Sequence, residues 1–480
     1  MIRTRFAPSP TGFLHLGSLR TALFNYLFAK HHKGSLILRV EDTDAQRNVP
    51  DAERDLESTL HWAGIHPDES PSVGGPYGPY RQSERFATYN EHVRKLVRED
   101  KAYKCFASKD EVARLQEAAR RTGQKVNYDQ LFTRAQRDDL SSRGASHVIR
   151  LRVPVDGTTA YDDVIYGRME FSNGEIEDQV LMRSDGRPTY HLANVVDDRA
   201  MNISHVIRGE EWLQSTAKHV LLYEAFGWVP PIFAHLPLLL NKGGGKLSKR
   251  NKDVFVDDFR LQGVMSSALV NYVALLGWSP RLTEQRIFTM NQLVGTFSLE
   301  DVNRNKPTVD AGQIAWFNKE HLKMAYESPL GSASVIQDMQ GLVRKTFSPV
   351  SERMISLEYL HQVLEVLIDR ISYLPDVLRL GSCFWVEPKS TGEQFRVVST
   401  DYRLILKKSA EKLDACDFVA HNVISLLRNV ARDMGVQSKT VLRLIRLAVT
   451  GQEVGGQLGL TLEVLGRETV LRRLHAAGEI

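Results

Sequence analysis

The segment from Ile2 to Asp44 constrains the fold more than any other. Ile2 to Phe6 reads as a short strand, Pro8-Ser9-Pro10-Thr11-Gly12 as a tight turn, and Leu16, Leu19, Leu23, Tyr26 and Leu27 recur at helical spacing. Gly34 closes that helix, and Leu36-Ile37-Leu38-Arg39-Val40 follows as the mostly apolar run of a buried parallel strand, ending at Glu41-Asp42-Thr43-Asp44. Strand, helix and strand in this order join parallel strands through a right-handed crossover. Such sheets place ligands at the carboxyl ends of their strands, where the Pro-rich turn and Glu41 fall. The chain begins as a doubly wound, Rossmann-type α/β domain.

That pattern is then interrupted. Gly74-Gly75-Pro76-Tyr77-Gly78-Pro79-Tyr80 is a breaker-rich connector, and residues 83–191 mix charged helical stretches with short strands such as Val148 to Arg152, an α+β insertion. The α/β character returns at His191 to Asp197, at Ile203 to Ile207, and in a helix carrying Val220, Leu221, Leu222 and Phe226, capped by Gly227. From Leu261 to Ile480 the chain is mostly helical, with Leu357 to Leu367 and Val441 to Val449 close to 3.6 spacing.

At 480 residues the chain is about three times a typical domain, which disfavours a single binding module. Hydrophobic residues make up 42% and charged residues 25%, without a long uninterrupted apolar tract, so neither wholesale disorder nor a membrane span is expected. Cys105, Cys383 and Cys416 form no C-x-x-C pair, which removes a disulfide framework and a cysteine-rich zinc site and fits a reducing compartment. Lysine and arginine number 62 against 58 acids, so a polyanion partner would need local basic patches rather than bulk charge. Met1 opens directly onto a strand-like segment, and neither a signal nor a transit peptide is expected.

Two constellations suggest phosphate chemistry. His15-Leu16-Gly17-Ser18 starts a helix after a strand and a turn. A helix amino terminus offers unpaired N–H groups and partial positive charge, and glycine lets a nucleotide approach the backbone. His15 could then hydrogen-bond a triphosphate and stabilise charge growing on it. The second is Lys246-Leu247-Ser248-Lys249-Arg250 behind Gly243-Gly244-Gly245, closely spaced cations on a loop able to close over a polyphosphate. Taken singly, each also reads as an ordinary helix start or a solvated basic loop.

Together they resemble a known family. Phe6 to Ser18 is similar to the first signature of class I aminoacyl-tRNA synthetases in its glutamyl form, and Lys246 to Arg250 is similar to their Lys-Met-Ser-Lys-Ser loop. Further matches to bacterial and organellar glutamyl-tRNA synthetases are Arg39 to Asp44, Gly78 to Arg85, Ser184 to Asp198 and Val206 to Trp212, with Trp316-Phe317-Asn318 and Leu447 to Gly451 beyond. Ser18, Leu247 and Arg250 depart from the general class pattern in ways familiar among glutamyl enzymes.

The resemblance implies a catalytic domain at 1–82 and 192–241, an inserted acceptor-binding domain at 83–191, a stem-contact domain at 242–327 and a helical anticodon-binding domain at 328–480. It implies catalytic roles for His15, Lys246 and Lys249, and an ATP site made with Gly17, Glu211, Leu239, Leu247, Ser248 and Arg250. Glutamate carries two carboxylates and an ammonium, so its pocket needs arginine forks and an acid. Arg5, Arg208 and Glu41 supply them, with Ala7, Ser9, Tyr190 and Asn194 as further pocket residues. Tyr190 and Asn194, four apart, would share one helical turn. ATP is expected with Mg2+, without structural zinc because Cys105 stands alone in the insertion.

tRNA(Glu), with tRNA(Gln) as a second candidate, is the implied partner of a monomer. The acceptor end would lie against Tyr80, Arg81, Tyr103 and Arg150, and the anticodon on the helical region, where Arg370 could read a base edge. Rival readings are a glutaminyl enzyme, which would not need two forks, and a silent tRNA-binding paralogue, in which the ATP motifs would have decayed. The stretches His235 to Asn241 and Asp253-Val254-Phe255 favour the mitochondrial branch slightly over a bacterial cytoplasm.

Overall fold

The computed structural model describes residues 1–44, 46–122, 125–245, 255–281 and 283–479. They form two compact units, Met1–Arg260 with Leu269–Ala311, and Leu261–Ala268 with Gly312–Ile480.

In the first unit, strand Arg3–Phe6 pairs in parallel with Ser35–Leu38, Arg3 opposite Ser35 and Phe6 opposite Leu38. Helix Leu16–His31 connects them and buries Leu16, Leu19, Leu23, Phe24 and Leu27, as the spacing requires. On the other side of the first strand, the Ser204 N–H donates to the Arg3 carbonyl at 3.0 Å, leading into strand His205–Gly209, which runs parallel to Ile232–Leu236. Strand Thr158–Asp163 joins that last strand in parallel at Asp163 opposite Phe233, and pairs antiparallel with Gly167–Ser172. Part of the stretch read as an insertion thus extends the parallel sheet. Helices Tyr190–Ala200 and Thr216–Phe226 complete the α/β pattern, the second ended by Gly227 in the left-handed region at φ 72°.

Strands Ala102–Cys105, Val148–Leu151 and Val180–Met182 form a separate antiparallel sheet. Here the acceptor-end expectation is corrected. Tyr103 and Arg150 are cross-strand partners, both buried. The Tyr103 hydroxyl donates to Asp178 Oδ2 at 2.6 Å, Arg150 donates to the Asp178 carbonyl at 2.8 Å, and its guanidinium lies 3.6 Å over the Tyr128 ring. Tyr80 is buried and donates to Glu69 at 2.5 Å, while Arg81 forks onto Glu53 at 2.7 Å and also meets Glu84. Tyr80, Tyr103 and Arg150 are spent inside the fold, because buried polar groups need partners, while Arg81 stays half-exposed in its surface ion pairs.

The second unit is helical. Helix Leu357–Leu367 buries Leu360, Val363, Leu364, Val366 and Leu367, and helix Ser438–Thr450 buries Val441, Leu444, Ile445 and Val449 before Gly451 ends it at φ 70°. Asn318 is fully buried, accepting the Met265 N–H at 2.7 Å and donating to the Ser372 carbonyl at 2.7 Å, which explains a polar residue beside Phe317 in the core. Among the described residues no helix is long and apolar enough to cross a membrane.

Candidate active site

A cleft of about 830 Å³ opens at the carboxyl ends of strands Arg3–Phe6, His205–Gly209 and Ile232–Leu236. Arg5, Ala7, Ser9, Glu41, Tyr190, Asn194 and Arg208 all line it, and so do His15, Gly17, Glu211 and Leu239. The two groups of residues expected at a glutamate pocket and an ATP pocket therefore face one cavity. Lys246, Leu247, Ser248, Lys249 and Arg250 lie outside the described residues. Arg370 belongs to the second unit, where it is exposed just past helix Leu357–Leu367.

His15 is the N-cap of helix Leu16–His31, its Nδ1 accepting the Ser18 N–H at 3.2 Å. A Cβ on Gly17 would meet that ring at 3.2 Å, so glycine permits the ring to fold back over the helix end. The tip keeps its anion-attracting polarity, with no acidic residue in the first turn.

Arg5 and Arg39 share one counterion. Arg5 Nε donates to Asp198 Oδ1 at 3.1 Å and Arg39 Nη1 to the same oxygen at 2.7 Å, while Arg39 Nη2 donates to Glu41 Oε1 at 3.1 Å. Asn194 links the network: its Nδ2 donates to Asp198 Oδ2, and its Oδ1 accepts from Arg39 and from the Tyr190 hydroxyl. Burial works against the Asp198 charge, yet Arg5 and Arg39 hold its carboxyl below the usual range. Burial wins at Glu41 and pushes its carboxyl up, against the pull of Arg39 and Arg5. Glu41 thus lines the cleft as an incompletely compensated acid, suited to receive a cation.

Arg208 has other surroundings. It is buried, and its nitrogens donate to His235 Nε2 at 3.2 Å, the Tyr190 hydroxyl at 3.2 Å, Thr216 Oγ1 at 2.7 Å and His219 Nδ1 at 3.2 Å. Burial, with Arg208 next in importance, lowers the His219 pKa well below the ordinary value; burial also lowers that of His235. Both imidazoles are neutral at pH 7.

The residues that sequence reasoning missed stand behind the lining. Arg39 and Asp198 are fully buried; Asp197 beside it accepts from Gln82 at 2.9 Å, Arg85 at 2.6 Å and Tyr89 at 2.7 Å. His219, His235, Thr216 and Asp163 were equally unmarked. A usable signal existed: charges at Arg3, Arg5 and Arg39 inside strands, and Asp197-Asp198 inside a helix of apolar neighbours, must find partners when buried. Among the described residues no group of three or more His, Cys, Asp or Glu is arranged to hold a metal ion, and Cys105 packs with Tyr103, Val126 and Tyr128.

Comparison with known proteins places this geometry. Residues 1–316 match the family model for class I tRNA synthetases (E and Q), catalytic domain, and residues 339–478 match that for an anticodon binding domain. The glutamate–tRNA ligase of Chloroherpeton thalassium is 41% identical over 99% of this chain and 97% of its own length, and that of Clostridioides difficile 40% identical over 98% of each. A crystal structure of a glutamate tRNA ligase from Elizabethkingia meningosepticum in complex with its amino acid superposes with a TM-score of 0.90 at 34% identity, covering 100% of this chain and 99% of that one. The mixed α/β first unit and helical second unit agree with the class I fold expected from the sequence. The chain belongs to the class I tRNA synthetases of the E and Q type.

Proposed function

We propose that this chain is a glutamate–tRNA ligase, which activates L-glutamate with ATP and transfers it to the terminal adenosine of tRNA(Glu). The observation that carries the reading is the convergence of Arg5, Glu41 and Arg208 with His15, Gly17 and Glu211 on one cleft. Two guanidiniums and a carboxylate match the two carboxylates and the ammonium of glutamate. Arg208 takes the side-chain carboxylate, Glu41 the ammonium, and Arg5, Tyr190 and Asn194 with the Ala7–Ser9 segment fix the remainder. ATP lies over the helix tip at His15 and Gly17, with Glu211 and Leu239 beside its nucleoside.

In the first step the glutamate α-carboxylate attacks the α-phosphorus and pyrophosphate leaves; in the second, the 2′-hydroxyl of the terminal adenosine attacks the acyl carbon and AMP leaves. In-line displacement needs positioning and charge neutralisation more than a covalent nucleophile. The helix tip and His15 supply donors, and Lys246 and Lys249, with Leu247, Ser248 and Arg250, supply further ATP-binding and charge-neutralising groups. Mg2+ arrives as the counterion of the nucleotide phosphates, as part of that substrate.

The 83–191 stretch serves the acceptor end, 242–327 the stem and 328–480 the anticodon, with Arg370 at a base edge; the enzyme works as a monomer. The relatives named above are bacterial enzymes, and they lend no support to a mitochondrial preference. The test is charging of purified glutamate and glutamine tRNAs with labelled glutamate, with glutamine as control. Glutamate on tRNA(Glu) is the expected product, and charging of tRNA(Gln) as well marks a non-discriminating enzyme. Pyrophosphate exchange should be weak without tRNA and strong with it. Charging with glutamine in preference to glutamate would overturn the reading.

A further inference from the structure

Arg208 sits in a collar of hydrogen-bond acceptors. Among the described residues its hydrogen-bond partners are His235, Tyr190, Thr216 and His219, and none is a carboxylate. An arginine offers only N–H groups, so every partner must present a lone pair, which fixes where each of their protons goes. His235 hands its Nδ1 proton to Asp163 Oδ2 at 2.6 Å, freeing Nε2. His219 accepts at Nδ1, so its proton is on Nε2 and is donated to His191 Nδ1 at 2.9 Å. Thr216 donates to the Trp212 carbonyl at 2.8 Å, and Tyr190 to Asn194 Oδ1. Each partner thus turns a lone pair toward Arg208, and Thr216 Oγ1 also lies 3.0 Å from His235 Nε2 within the collar.

The acid that reaches the collar through a histidine is kept a residue away. Asp163 is buried behind His235 and spends its other oxygen on the backbone N–H groups of Ile165 at 3.0 Å and Tyr166 at 2.9 Å. Arg5 shows the alternative, since Asp198 pairs with it directly. Arg208 is therefore buried at the wall of the cleft with neutral acceptors and no carboxylate among its hydrogen-bond partners. A buried charge without a countercharge is costly, and a ligand carboxylate removes that cost while a neutral amide does not.

We infer that His219, Thr216 and His235 are specificity-determining positioning residues: by hydrogen-bonding Arg208 through neutral acceptors only, they preserve its charge and make the pocket select the acid glutamate over its amide. The inference rests on the functional reading above, which gives Arg208 the side-chain carboxylate. A carboxylate placed in the collar would neutralise Arg208 and admit the amide.

The test compares charges at constant shape. His219→Asp and His219→Asn differ by one ionised oxygen, and both can reach the site of the imidazole Nδ1. The measurement is the ratio of kcat/KM for glutamate to that for glutamine in tRNA charging, with KM and kcat resolved separately. The Asn variant keeps the preference for glutamate, whatever its rate. The Asp variant loses at least ~10-fold of it, through a higher KM for glutamate with the KM for ATP unmoved. Thr216→Asp and Thr216→Asn repeat the comparison on the other partner of the same guanidinium nitrogen, so the outcome does not depend on one variant folding; melting temperatures within each pair show the fold is shared. If the unaltered chain charges glutamate and both Asp variants retain its full preference, the collar inference is overturned alone. If the unaltered chain does not charge glutamate, the functional reading falls and the inference with it.

Discussion

Both units of this chain bury apolar cores, but they differ in how many ionisable side chains they bury beside them. In the first, Arg39, Asp197, Asp198, His219 and His235 are at or near zero exposure around one cleft. In the second, the interior is mostly hydrocarbon: Phe395, Ile405, Leu406, Leu413, Leu427, Leu444 and Ile445 form one contiguous cluster, Asn318 and His321 are buried polar residues beside the packing, and the buried cation Arg473 is held by the carbonyls of Val449 and Cys383 and by Glu387. Aliphatic packing stabilises roughly in proportion to area, whereas a buried ion pair recovers little more than its own desolvation cost. The difference teaches that the first unit's buried charges are held by one another, so that removing a shared counterion strands its partners, whereas a carboxylate that is only partly compensated can be neutralised at little cost.

The largest effect should come from breaking that arrangement at its shared acid. Asp198→Ala leaves Arg5 and Arg39 buried without their common counterion, and the expected loss is ~3–5 kcal/mol. Denaturant unfolding followed by hydrogen exchange should locate the loss in peptides of Met1–Arg260. A loss under about 1 kcal/mol would mean that the network is wet or redundant, and the contrast between the units would fail.

In the second unit the matching cut is Leu444→Ala. Leu444 is fully buried on helix Ser438–Thr450, and removing its branched end leaves a cavity worth about 3 kcal/mol. Exchange should quicken in the helical unit, while the KM for glutamate stays put. A changed KM would sharpen the comparison in the other direction, by showing that the apolar unit also tunes the cleft.

The sequence exposed the lining of the cleft better than its support. Arg5, Glu41 and Arg208 were legible because they end strands at the edge where parallel sheets bind ligands, and because their charges match a dicarboxylic amino acid. The helices Leu357–Leu367 and Ser438–Thr450 were legible because a one-sided apolar stripe has a period. Arg39, Asp198, His219 and His235 were not, since their partners come from remote parts of the chain: Arg39 and Asp198 are 159 positions apart. Tyr103 and Arg150 were misread for the same reason. Aromatic and arginine side chains mark nucleic-acid surfaces and buried cation–π pairs alike, and only the cross-strand register together with Asp178 decides between them.

The smallest effect on stability, and the finest test of the contrast, lies at Glu41. Two acids face Arg39, and their titrations oppose each other. Asp198 is held low, so its contribution is complete above the unfolded value of about 3.9 and is lost as pH falls through the folded one. Burial raises Glu41, so the folded state binds its proton more tightly; that contribution is complete below about 4.3 and is lost as pH rises through the folded value. Above its folded value the ionised Glu41 is therefore a net burden on the fold, while Asp198 compensates Arg39. Glu41→Gln should leave stability at pH 7 unchanged or raise it by up to ~1 kcal/mol, and the advantage should vanish in acid. The same change should raise the KM for glutamate at least ~10-fold, because the ammonium loses its acid. A variant that is destabilised near neutrality yet binds glutamate normally would assign Glu41 to the structural network of Arg39 instead of the ligand.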